Sequence, residues 1–348
     1  MRGQVDHVVI LDGTLSSLRD HEISNAGQTF RLLAEGGPRP GRTLWYDEGI
    51  PWRGWRRIMD VIEGRGIEDQ IIRAYGHLAS HYRSGDRIFL FGYSRGAFAV
   101  RSLAGVIDRV GLLRQEEATE RNVHLAWRHY QRGESAASAD FARAFCHLSV
   151  GLRMVGVWET VKALGWRFPL LWMLTESRHA FHNPHPAKNL DYGFHALALD
   201  ETRVVFEPVL WQSGEASRAH IEQVWFRGAH GDVGGQIGGY EAARPLANIP
   251  LVWMLDRAES AGLMLPANWR MRFPCDPAAP MTGTWRGWGA WFLYRRRRRI
   301  GRDPTERLHE SVPETARLRW RLARGPGFAP DQAANSQAAE STSPISRG

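Results

Sequence analysis

The stretch FLFGYSRGAFAVRSLAG, residues 89–105, most limits what this chain can fold into. RIFLFG at 87–92 reads as a short buried strand, and AFAVRSLAGVIDRV beyond it reads as a helix. Between them Gly92-Tyr93-Ser94-Arg95-Gly96 spells GxSxG, so the chain must pass from strand to helix within a few residues. Such a turn forces the serine into a strained backbone conformation and lifts its hydroxyl above the sheet. Gly92 and Gly96 support it by letting the neighbouring strand and helix come close. The helix also directs its N-terminus at the serine, which favours negative charge there. In this strand-turn-helix context GxSxG is read as a nucleophile elbow rather than as a structural tight turn.

Around that element, apolar β-rich runs alternate with helical patterns, which predicts an α/β fold: a mostly parallel central sheet with helices on both faces. Residues 8–11, 42–47 (RTLWYD), 152–158 (LRMVGVW) and 223–228 (QVWFRG) read as further strands. Residues 69–82, 116–131 and 245–260 carry helical spacing. The 348 residues, 43% of them hydrophobic, suffice for a large core. We expect a catalytic domain over 1–265, an extension over 266–324, and a flexible tail over 325–348, where Pro, Ala, Ser and Gly replace any apolar periodicity. The formal charge of +8 gathers toward the C-terminus and describes a local surface. Cys146 and Cys275 stand far apart without CxxC spacing, which excludes a zinc ribbon and reads as two packed thiols. The N-terminal apolar run is too short for a signal-peptide core, and no 18-residue apolar span occurs. Synthesis in the cytoplasm without a spanning helix is expected, with peripheral membrane association or signal-independent export left open.

A serine hydroxyl attacks only when a base takes its proton, and the base needs a carboxylate to hold it, in the chain order Ser, acid, His for this architecture. Fourteen histidines compete, and position at the carboxyl end of a strand selects among them. His230 follows QVWFRGA and precedes the glycine-rich GDVGGQIGGY; His195 in FHALALDE is its rival. His179, His182 and His185 resemble a metal cluster in spacing, but their prolines and lack of nearby acids point to a surface loop. For the acid, Glu159 directly follows LRMVGVW, while Asp232 lies two residues past His230, where it can instead cap its own loop's amides. The backbone N–H of Arg95 supplies one oxyanion donor.

HVVILDGTLSSL at 7–18 opens like a phosphatase signature, but Ile10 occupies the place of the aspartate nucleophile. The loop after such an early strand supplies the second oxyanion donor, the amide of Gly13 or Thr14, with Asp12 bracing the loop.

LDGT, FGYSRGAFAVRSLAG, GVWETVKALG, FHALALDETR and VWFRGAHGDVGG, in that order, resemble the α/β-hydrolase family typified by the type VI secretion phospholipase effectors, the Tle1-like catalytic domain. The likeness runs from about residue 5 to 260, with a weaker echo in DPTERLHESV. It implies a serine-dependent lipid esterase with Ser94 as nucleophile, Glu159 as acid and His230 as base. Three departures stand out: Glu159 where the family usually has Asp, DGTLS for DGTWN, and DVGGQIGGY for DVGGGY.

Two segments bear on the substrate. GWRFPLLWML at 165–174 suits either a lid or acyl-pocket wall, or a buried helix. Trp285, Trp288 and Trp291 precede Arg295, Arg296, Arg297, Arg298 and Arg299, which suits an interfacial segment on anionic membrane or, equally, a core edge followed by an exposed charged helix. No specific nucleic-acid module is present. The chain is therefore expected to cleave carboxylic esters, phospholipid acyl esters first among them, through an acyl-enzyme and without metal or organic cofactor. A soluble esterase or thioesterase, and an inactive membrane-binding module, are the alternatives.

Overall fold

Residues 3–13, 16–48, 65–161, 185–214, 218–285 and 294–318 are described in the computed structural model. Seven strands form one sheet: β1 (Asp6–Leu11), β2 (Arg42–Asp47), β3 (Arg87–Tyr93), β4 (Leu152–Trp158), β5 (Leu190–Ala198), β6 (His220–Phe226) and β7 (Glu306–Leu308). Their order is β2-β1-β3-β4-β5-β6-β7, and every neighbouring pair is parallel. Parallel pairing requires a crossover between successive strands, and the helices found in the crossovers cover both faces.

Side-chain alternation assigns each strand residue to a face. Val9, Leu11 and Leu90 pack beneath α2 (Arg65–His81), α3 (Arg95–Arg109) and α4 (Glu120–Arg132). Val8, Ile10, Phe89 and Phe91 pack against α1 (Asn25–Ala34) on the other face, together with the helix Arg244–Ser260. The expected α/β architecture is thus observed. Two of the longer helices escaped the periodicity reading: α1, whose run is broken by Asn25 and Gly27, and α5 (Ala136–Phe145), whose Ser135 cap satisfies the first turn.

One compact unit runs from residue 1 to 312, past the expected boundary at 265, because Glu306–Leu308 joins the sheet beside β6. The carboxylate of Glu306 anchors that strand by accepting from Trp225 Nε1 at 2.8 Å and from the amides of Gly301, Arg302 and Asp303. Residues 313–348 form a second unit. The expected tail, 325–348, lies outside the described residues. Of the two cysteines expected to be packed, Cys146 is buried, whereas Cys275 is exposed in a proline-flanked loop. Among the described residues no helix is long and apolar enough to cross a membrane.

Candidate active site

Strand β3 ends in the elbow. Ser94 has φ 56° and ψ −115°, a conformation that costs a non-glycine residue about 1–3 kcal/mol unless its surroundings impose it. They do: its amide donates to Trp158 O at 3.0 Å, and its carbonyl accepts from Phe98 N at 3.2 Å. A Cβ on Gly92 would stand 2.5 Å from Gly96 O, and one on Gly96 would stand 2.0 Å from Leu11 O. The two glycines therefore let the start of α3 lie directly on β3 and β1.

Glu159, the first residue past β4, also has positive φ, 48°. Only Asn268 shares that property among the other described non-glycine residues, so backbone strain gathers at two of the three predicted side chains. His230 opens the short helix α6 (His230–Gly234) after β6. Its Nε2 lies 3.0 Å from Ser94 Oγ, and its Nδ1 lies 3.2 Å from Glu159 Oε2. All three side chains are buried, Glu159 completely. The imidazole is held between two rings, Tyr93 at 5.1 Å and Phe206 stacked at 4.5 Å.

The rival candidates sit elsewhere. His195 Nε2 faces the Thr160 amide at 3.2 Å, and its ring packs edge-on to Trp211. Burial, and then the charge of Arg101, drives its pKa well below the usual histidine value, so it stays neutral. Asp232 caps its own loop by accepting from Ala229 N at 2.8 Å, and it ties that loop to a distant one by accepting from Thr282 N at 2.8 Å. His185 meets Gln212 O at 3.1 Å, while His179 and His182 lie outside the described residues.

Asp12 braces the loop after β1, receiving Ser24 Oγ at 2.7 Å and Tyr46 OH at 2.8 Å. It also takes the Gly13 amide at 2.7 Å. That amide was one of the two expected oxyanion donors, and its engagement by Asp12 turns the expectation to Thr14, which lies outside the described residues. The loop is close enough to serve, since a Cβ on Gly13 would stand 3.2 Å from Ser94 Cβ.

Three supports were not foreseen from the sequence. Phe206 gives no local signal, being one aromatic among many. Glu201 lies inside the FHALALDETR motif and accepts the His230 backbone amide at 3.1 Å. Burial would raise the Glu201 pKa, but hydrogen bonds and charge from Arg203 outweigh it and bring it down to about 2. A lowered carboxylate pKa stabilises the fold above the ordinary value and loses that contribution as pH falls toward 2. Glu201→Gln should therefore cost on the order of 3 kcal/mol at neutral pH. Thermal melts from pH 7 down to 3 should show the deficit shrinking below about 4.5, the ordinary glutamate value; a constant deficit would contradict this account.

The third support is Arg298, whose Nη2 donates to Glu159 Oε2 at 2.8 Å. The arginine run is thus neither uniformly solvated nor helical. Arg295 bonds Thr202 and Thr284 and covers the Trp285 ring, Arg296 pairs with Glu207, and Arg298 turns inward. Arg297 and Arg299 are exposed and unpaired among the described residues. Trp288, Trp291 and GWRFPLLWML lie outside the described residues.

A serine, a histidine and a carboxylate are linked in that order at the carboxyl ends of β3, β6 and β4, the arrangement that a nucleophile, its base and the base's acid require. The sequence model described as "T6SS, Phospholipase effector Tle1-like, catalytic domain" matches residues 6–257. The chain belongs to that family. An uncharacterised protein of Saccharomyces cerevisiae is 26% identical to this Tle1-like chain over 227 residues, 58% of the chain and 32% of its own length. The chain thus spans about a third of that relative. Among solved structures, an uncharacterised protein from Pseudomonas aeruginosa aligns at TM-score 0.47 and 15% identity, over 78% of this chain and 49% of that one. The Tle1 effector bound to the VgrG spike of the type VI secretion system aligns at TM-score 0.40 and 18% identity, over 67% and 51%. The family match ends at residue 257, before Arg298.

Proposed function

We propose that this Tle1-like chain is a phospholipase that hydrolyses acyl esters through an acyl-enzyme on Ser94. The observation that carries the reading is the continuous relay from Ser94 Oγ to His230 Nε2 at 3.0 Å and from His230 Nδ1 to Glu159 Oε2 at 3.2 Å. His230 takes the hydroxyl proton as Oγ attacks the ester carbonyl, then returns it to the departing alcohol. Water, deprotonated by the same imidazole, then releases the fatty acid and restores Ser94. Glu159 holds the tautomer that leaves Nε2 free to accept, and stabilises the imidazolium. The amide of Arg95 and one from the loop after β1 hold the oxyanion, each such donor being worth about 3 kcal/mol of barrier. A phosphate-bearing substrate suits the Arg95 guanidinium: it has no acidic partner among the described residues, and burial lowers its pKa to about 10.

The test is lipid product analysis of vesicles treated with wild type or Ser94→Ala. Fatty acid and lysophospholipid should accumulate with wild type alone. Identical product profiles, or products cut at the phosphate ester, would sink the reading.

Docking on an anionic bilayer is part of the same proposal. Trp285 and Tyr294 are 64% and 71% exposed, and Arg297 and Arg299 face solvent beside them. Cations near an anionic surface contribute about 1 kcal/mol each, so the Arg297→Ala/Arg299→Ala variant should bind anionic vesicles roughly tenfold or more weakly. Its affinity for neutral vesicles should change far less. Equal affinity of both proteins for anionic vesicles would rule this surface out.

A further inference from the structure

Glu159 makes an unusual demand. Its carboxylate is fully buried, and a buried charge persists only when its lone pairs are satisfied. A glutamate arm has three rotatable side-chain bonds, so conformational freedom must be removed to aim one oxygen at the imidazole. Three donors do this. Ala198 N binds Oε1 at 2.7 Å, while Oε2 divides its two lone pairs between His230 Nδ1 and Arg298 Nη2.

The cation is delivered by a built element. Residues 294–299 form no helix; Arg296, Arg297 and Arg299 are exposed, whereas the Arg298 side chain is 5% exposed. The strap is pinned at its start by an antiparallel bridge between Arg295 and Arg203. Val204 N donates to Tyr294 O at 3.2 Å, Arg296 N donates to Thr202 O at 2.7 Å, and the Arg296 side chain grips Glu207. The partner segment 202–207 also bears Phe206, stacked on His230. One clasp therefore touches both the base and its acid, which fixes their relative placement.

We propose that Arg298 is a positioning residue of the catalytic site: its guanidinium clamps Glu159 Oε2 so that the flexible glutamate arm stays aimed at His230 Nδ1. Arg298 acts through Glu159 and touches no substrate, and its role rests on Ser94, His230 and Glu159 forming the triad.

The experiment uses the full chain and a soluble short-chain ester, which removes membrane docking from the readout. The rate of Ser94 labelling by a fluorophosphonate provides a second measure of nucleophile activation. Arg298→Met should lower kcat about a hundredfold and slow labelling in parallel, with KM within about twofold. Arg298→Lys, which keeps one charged donor, should recover much of that loss. Against Glu159→Gln the Arg298→Met change should cost little more, because the group it positions is gone. The double variant also leaves no lone buried charge, so it keeps the question answerable if Arg298→Met folds poorly. Wild-type kcat in Arg298→Met, lysine no better than methionine, or losses that multiply in the double variant would each overturn the role. If Ser94→Ala is inactive and the wild type labels at Ser94, such a result condemns the Arg298 role alone. Turnover by Ser94→Ala, with no labelling of the wild type, condemns the triad itself.

Discussion

Ser94→Ala and His230→Ala are each expected to lower kcat for ester hydrolysis by roughly four to six orders of magnitude, with the double variant no worse than either. The reason lies in the relay. Ser94 Oγ and His230 Nε2 stand 3.0 Å apart, so each is effective only through the other: without the imidazole the hydroxyl keeps its proton, and without the hydroxyl the imidazole has nothing to activate. Both substitutions should spare the fold. Ser94 holds the elbow through its backbone amide and carbonyl, which alanine retains, and the His230 amide still reaches Glu201. Thermal melting beside steady-state kinetics checks the pair. Losses that multiply, or a His230→Ala enzyme that keeps its rate, would mean that the base is another residue and would return His195 to consideration. The buried, neutral ring of His195, packed on Trp211 and facing the Thr160 amide, argues against that outcome.

What could be read from the letters depended on whether the cause was local. Strands such as LRMVGVW are contiguous apolar runs whose burial follows from composition, and they appear at 152–158 as expected. Glu306–Leu308 is three residues with two charges, and besides the amides of its own turn Glu306 finds Trp225, 81 residues away, which no local pattern announces. Ser94 and His230 announce themselves by sitting at strand ends among glycines that only a tight turn needs. Arg298 could not do so. It is one of five identical letters, and it is singled out by a bond to Glu159, 139 residues away, a contact that no sequence window spans. The engagement of the Gly13 amide by Asp12 escaped the sequence for a similar reason. Glycine permits close approach, but where its N–H points was decided by Asp12, itself fixed by Ser24 and Tyr46. Asp232 was legible because the capping of its own loop is local chemistry.

Gly96→Ala should be the most damaging single-methyl change near the site, and the geometry says why. The added Cβ would lie 2.0 Å from Leu11 O, 2.5 Å from Leu11 C and 2.7 Å from Asp12 O. These are backbone atoms at the end of β1, so no side chain can swing aside and the strand end must separate from α3. Overpacking of this kind costs about 3 kcal/mol or more, a fall in Tm on the order of 5 °C or more. The displacement also bears on chemistry, because the loop pushed away is the one that carries Gly13 beside Ser94. A misplacement of about 1 Å in a reacting geometry costs roughly a hundredfold in rate, so kcat should fall even in the protein that remains folded. Gly151→Ala provides the contrast, since a Cβ there meets nothing within 4 Å. Melting curves and kcat for the two variants, measured together, decide the matter: comparable behaviour of Gly96→Ala and Gly151→Ala would mean that the close apposition of β1 and the elbow does not hold the nucleophile in place.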